Sequence, residues 1–134
     1  MSDFLDRRAF LRSCGVASLS LPVVGSLLSA CAPAEEDLSA VLIAPLHDLP
    51  SARFVGGVYL NDVPEERDLE VLIQRIAGAD EEAWRALARQ NRSALHAAVK
   101  ARHHADFAAG KVVYLRDWQL SQTEARLYAL AALS

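Results

Sequence analysis

The side chains best suited to chemistry gather between residues 93 and 106, where Ser93, His96, His103, His104 and Asp106 occur. Histidine exchanges protons near neutral pH and its ring nitrogens ligate transition metals. Spacing decides what these residues can do. His96 and His103 are seven positions apart, which on a helix puts them on nearly the same face but about 10 Å apart along the axis. A single ion with metal–nitrogen bonds of about 2.1 Å does not reach both. Helices that bind metal through two histidines place them four residues apart, as in His-Glu-x-x-His, and the chain has no such pair. His103 and Asp106 could share an ion, but two ligands are a fragment of a site, so no metal and no other cofactor is expected. Ser93 with His96 reads as a surface pair, and no Gly-x-Ser-x-Gly turn presents a serine nucleophile. Glu65-Glu66 and Glu81-Glu82 sit at expected helix starts, where the positive end of the helix dipole accounts for them. Gly56-Gly57 is not a phosphate loop. No catalytic residue is assigned, and a small hydrolase lacks a nucleophile, base and orienting acid in recognisable spacing.

The elements that would carry these residues are mostly helical. Leu38 to Leu46 reads as a short helix ending around Pro45 to Pro50. Ser51 to Leu60 reads as a second, opened by Pro50, with Phe54, Val55, Val58 and Tyr59 on or beside one face. Gly56-Gly57 in its middle costs about 1 kcal/mol per glycine relative to alanine, which implies tight packing there. Asp62 to Ala77 is expected as a third, with Pro64, Glu65 and Glu66 in its first turn, Leu69, Leu72, Ile73 and Ile76 at helical spacing, and Gly78 as its stop. Asp80 then opens the longest helix, running towards Gly110 with Trp84, Leu87, Leu95, Ala98 and Val99 along one stripe, and is expected to be the spine of the domain. Val112 to Leu115 and Trp118 to Leu120 are strand-like around an Arg116-Asp117 turn. Ser121-Gln122-Thr123-Glu124 is a capping box before a last helix, Thr123 to Leu133. The expected fold class is mainly α, a small helical bundle over residues 38–134 with a short β-hairpin before the C-terminal helix.

The first 34 residues read as an address. Arg7, Arg8 and Arg12 form a basic start, Gly15 to Ala30 an apolar middle diluted by Pro22, Gly25 and several serines, and Leu28-Ser29-Ala30-Cys31 a small-residue processing site. The middle is too weakly apolar for a stable span, which needs about 20 predominantly apolar residues. Asp6-Arg7-Arg8-Ala9-Phe10-Leu11-Arg12 resembles the twin-arginine signal, matching it at Arg7, Arg8, Phe10 and Leu11, with Asp6 in place of a hydroxyl residue and Arg12 in place of lysine. Two guanidinium forks offer a receptor's carboxylates a geometry that lysine does not reproduce. Leu28-Ser29-Ala30-Cys31 resembles a bacterial lipobox, which implies a diacylglycerol on Cys31 and cleavage before it. Cleavage after Ala34, at Ala32-Pro33-Ala34, is the alternative. The resemblance implies a periplasmic location anchored through lipidated Cys31, with Ala32 favouring the outer membrane. It implies the twin-arginine translocase as a partner, and residues 1–30, 31–37 and 38–134 as leader, tether and domain.

From Cys31 onward, 11 Lys and Arg stand against 15 Asp and Glu, a balance of −4. An acidic chain argues against nucleic acid as a partner, because phosphate-backbone binding rests on basic surface. Cys14 leaves with the leader and Cys31 takes the lipid, so no disulfide, thiolate metal site or haem attachment is expected in the domain. In architecture the chain resembles the small signal-bearing subunits of membrane-bound flavin dehydrogenases of the gluconate and sorbitol type. That resemblance implies an accessory, non-catalytic subunit supporting export or membrane attachment of a larger oxidoreductase subunit that holds the cofactor. A free-standing binding or envelope-structural lipoprotein is the alternative, with its ligand site near Gly56-Gly57. Trp84 and Trp118 are core candidates first. An exposed apolar patch around Tyr114, Trp118 and Tyr128 would instead mark a partner surface.

Overall fold

The computed structural model describes residues 37–134, so Arg7, Arg8, Phe10, Leu11 and Cys31 lie outside the described residues. Helices begin where a short polar side chain takes up a free backbone N–H. Asp37 accepts from Ser39 N at 2.9 Å and opens α1 (Leu38–Ile43). Asp48 accepts from Ser51 N at 3.1 Å and opens α2 (Leu49–Asp62), with Pro50 in the first turn. Asp68 accepts from Val71 N at 3.1 Å and opens α3 (Leu69–Ala77). Then come α4 (Glu81–Gln90), α5 (Arg92–Ala108), β1 (Val112–Leu115), β2 (Trp118–Ser121) and α6 (Gln122–Leu133). The domain is mainly helical, with a two-stranded antiparallel hairpin before the C-terminal helix, as the pattern predicts. Gly78 stops α3 as expected, with a φ of +59°.

Three expectations are corrected. The helix expected over 62–77 begins at Leu69, because Asp62 closes α2, Pro64–Glu66 forms a 3₁₀ turn, and Asp68 supplies the cap. The single helix expected from Asp80 towards Gly110 is two. Asn91 takes an extended backbone, φ −155°, and its side chain accepts from Ala94 N at 3.0 Å, which ends α4 and restarts the chain as α5. The spine is α6 and not that long segment. In α5 only Leu95 and Asp106 are buried, whereas α6 buries Thr123, Ala125, Leu127, Ala129, Leu130 and Ala131 and packs against α1, α2, α3 and α5. A helix covered nearly all round needs small or apolar residues on every side, and α6 has them.

The core around α6 is built from Leu38 and Leu42 of α1, Tyr59 and Leu60 of α2, Leu72, Ile73 and Ile76 of α3, Trp84, Leu95, and Leu115 and Leu120 of the hairpin. At Gly56, α2 touches the backbone of α6: a Cβ there would lie 2.0 Å from the Tyr128 carbonyl oxygen. The glycine pair therefore marks tight packing as predicted, at Gly56 and not at Gly57, which has open space around it.

One buried ion pair pins the 3₁₀ turn to this centre. Arg126 donates from Nη2 to Glu66 Oε1 at 2.7 Å and from Nε to Oε2 at 3.0 Å, and the Tyr59 hydroxyl donates to Oε2 at 2.7 Å. Burial alone would raise the Glu66 pKa, but the hydrogen bonds from Arg126 and Tyr59 and the charge of Arg126 outweigh it and hold the carboxyl below its ordinary value.

In the hairpin Val113 faces Leu120 and Leu115 faces Trp118, and Arg116-Asp117 makes the connection. Arg116 has a φ of +55°, in the left-handed region that costs a side chain about 1 kcal/mol or more and glycine little. Arg116→Gly is therefore expected to raise stability by about 1 kcal/mol, read as a higher urea midpoint. An unchanged or lower midpoint would show that the arginine is held there by compensating contacts.

Candidate functional site

The histidine and carboxylate cluster is engaged in holding elements together. Asp106 is buried, and its Oδ2 accepts from both Thr123 N at 2.7 Å and Thr123 Oγ1 at 2.6 Å, joining α5 to the start of α6. His103 Nδ1 lies 2.8 Å from Ser121 Oγ, and its ring packs edge-on against Phe107. His103 and Asp106, the fragment of a metal site, thus face separate partners. Among the described residues no group of three His, Cys, Asp or Glu is placed to hold a metal ion. His96 Nε2 lies 3.1 Å from the Val41 carbonyl, far from any role with Ser93, which is exposed.

Ser121, His103 and Glu124 resemble a nucleophile, base and acid in composition but not in arrangement. A working triad presents serine and carboxylate to opposite nitrogens of the imidazole. Here Ser121 Oγ and Glu124 Oε2, the latter at 4.0 Å, both face Nδ1. Ser121 is fully buried and its Oγ accepts from Glu124 N at 3.0 Å, which is the expected N-cap of α6. Glu124 in turn accepts from the Tyr128 hydroxyl at 3.0 Å; burial first, then that bond and charge, push the Tyr128 pKa up to about 12.

What the surface does present is aromatic. Cross-strand partners share a face of a sheet, so Val113, Leu115, Leu120 and Trp118 point the same way. The first three meet the core, while Trp118, at the turn end, extends past it and is 66% exposed. Opposite it on α2 stands Phe54, also 66% exposed. Pro50, Val55, Val58 and Leu115 line the hollow between them, about 480 Å³ in volume, with Arg116 at its rim. A second hollow of about 320 Å³ lies on the other flank of Trp118, reaching Leu46 and Tyr128. Trp118 and Tyr128 are thus brought to one hollow. Tyr114 is not: it pairs with Gln119 on the opposite face of the hairpin. Trp84, the other tryptophan, is buried, with the Arg102 guanidinium 5.0 Å from its ring centre.

Phe54, Val55, Val58 and Tyr59 were expected on or beside one face of this helix. The structure buries Tyr59 with Ala52, Gly56 and Leu60, leaving Pro50, Phe54 and Val58 as a separate row at four-residue steps. The signal was present: α2 is apolar on two sides, where a surface helix ordinarily carries one polar face. Gly57 lines a further hollow of about 440 Å³ between α2 and the end of α6. None of the described helices is long and apolar enough to cross a membrane. No protein-family model, no curated protein and no solved structure matches the chain.

Proposed function

We propose that this chain is an exported, lipid-anchored accessory subunit that supports export or membrane attachment of a periplasmic oxidoreductase, gripping an apolar segment of the larger subunit between Phe54 and Trp118. The observation that carries this reading is the pair of large aromatic side chains, each two-thirds exposed, on either side of one apolar groove. Exposed tryptophan and phenylalanine bury large areas at protein interfaces and are costly to leave in water. The leader pattern Arg7-Arg8-x-Phe10-Leu11 and the lipobox at Cys31 support the location, the translocase as export partner and the membrane as anchor. The candidate reactive groups His103, Asp106 and Ser121 are taken up by capping and packing, which suits a subunit that brings no chemistry of its own. The reading as a free-standing binding lipoprotein draws on the same hollow, whose 480 Å³ falls in the range of small apolar ligand sites.

The test is affinity purification of the tagged chain from gently solubilised membranes, beside a Phe54→Ser/Trp118→Ser variant. A larger subunit with flavin absorbance is expected to copurify with the unaltered chain and to be lost from the variant. Both side chains are exposed, so the variant is expected to melt within about 0.5 kcal/mol of the parent. Undiminished recovery of the large subunit with the variant, or no flavoprotein with either, would refute the proposal.

A further inference from the structure

We propose that the groove bordered by Arg75, Arg102, Lys111 and Arg126 binds a phosphate group. These residues come from α3, α5, the connection after α5, and α6, and they converge on one hollow of about 690 Å³. Four of the 11 Lys and Arg found after Cys31 therefore line a single groove in a chain whose overall charge is negative. It shares no lining residue with the Phe54–Trp118 groove, so it stands or falls independently of the accessory-subunit reading.

Three carboxylates stand beside the four cations and neutralise part of their charge, which leaves Arg75 and Lys111 as the cations without a paired carboxylate among the described residues. Asp80 Oδ2 is taken by Arg102 at 2.8 Å, Asp106 Oδ2 by Thr123, and Glu66 by Arg126. Arg75 and Lys111 are both exposed, and no ion pair among the described residues engages either side chain, although the charge of Arg75 is felt at Glu66. Arg102 is fixed on its other sides by the Ile76 carbonyl at 2.7 Å and by the ring of Trp84. The groove thus offers one free guanidinium fork, one free ammonium and two immobilised guanidinium groups, with the Gln122 side chain beside them. A phosphate monoester carries close to two charges at neutral pH and three acceptor oxygens, enough to engage separate cations at once, and arginine binds it through paired N–H groups. A single carboxylate, with one charge, satisfies fewer of them.

Phosphate of this kind comes from a free metabolite or from a lipid headgroup, and the experiment separates the two. The full chain carrying Trp118→Phe keeps Trp84, in the groove wall, as its one tryptophan. Its fluorescence is followed during titration with inorganic pyrophosphate, and separately with phosphatidylcholine vesicles containing phosphatidic acid. A saturable response to pyrophosphate is expected, weakened about tenfold or more by Arg75→Ala/Lys111→Ala, since the charge-assisted hydrogen bonds of both side chains are removed. Arg75→Lys/Lys111→Arg, which keeps both charges, is expected to retain the response. A response only to the vesicles, abolished by the same alanine pair, also upholds the site and assigns it to headgroups. The proposal is overturned by silence towards both ligands, by equal binding in an alanine variant whose circular dichroism is unchanged, or by an equal response to chloride at matched ionic strength.

Discussion

Gly56→Ala is expected to destabilise the domain by about 3 kcal/mol or more, enough to leave much of the chain unfolded at 37 °C. The added methyl would sit 2.0 Å from the Tyr128 carbonyl oxygen, 2.3 Å from its carbon and 2.6 Å from Ala129 N. Carbon atoms rest about 3.5 Å or more from such neighbours. All three are backbone atoms inside α6, so no side chain can swing aside; the two helices must separate, and α6 is the element on which the core is built. The neighbouring Gly57→Ala is the control, because nothing lies within 4 Å of the new atom. It is expected to leave stability unchanged or raise it by up to about 1 kcal/mol through helix propensity. Urea midpoints of the two variants measure the difference directly. Equal midpoints would mean that α2 and α6 do not touch at Gly56.

The second large effect is expected at Glu66. Glu66→Ala leaves Arg126, whose side chain is only 12% exposed, without its counter-charge, and leaves the Tyr59 hydroxyl without its acceptor. Removing one partner of a buried pair costs about 3–5 kcal/mol, chiefly the penalty of the charge left behind. Glu66→Gln keeps an acceptor for Tyr59 and is expected to cost less. The pair also sets a pH response. Because the folded carboxyl titrates below its ordinary 4.5, its contribution is present in full above that value and is lost as pH falls through the folded pKa. Tyr59 works in the opposite direction: burial, then its bond to Glu66 and that residue's charge, push its pKa up from 10.0 to about 12. Its contribution is present below pH 10 and is lost between there and about 12. Denaturation midpoints across pH are expected to fall at both ends, and Glu66→Gln is expected to flatten the acid limb. An acid limb of unchanged slope in that variant would place the acid sensitivity elsewhere.

What was legible beforehand depended on how far apart in the chain the deciding residues lie. The cap at Ser121, the stop at Gly78 and the hairpin around Arg116-Asp117 are local chemistry, read from four or five neighbouring residues. The break at Asn91 is also local but was masked, since Gln90 and Arg92 are good helix formers and the surrounding stripe keeps helical spacing through it. The Glu66–Arg126 pair joins residues 60 positions apart, and Asp106–Thr123 joins two elements across the hairpin. No periodicity announces such partners, so Glu66 was read as a dipole residue and Asp106 as half a metal site. Trp118 and Tyr128 were named as surface candidates; Phe54 was not, because the inward side of α2 is chosen by where Gly56 meets α6, and that is a tertiary fact.

The place of α6 in the chain has a consequence for biosynthesis. The element around which α1, α2, α3 and α5 assemble is formed by residues 122–133, the last of the described elements to be translated. Until those residues are made, Leu38, Leu72, Ile76 and Leu95 lack the helix that completes the core around them. Closure of this core is therefore expected only after residues 122–133 have been translated.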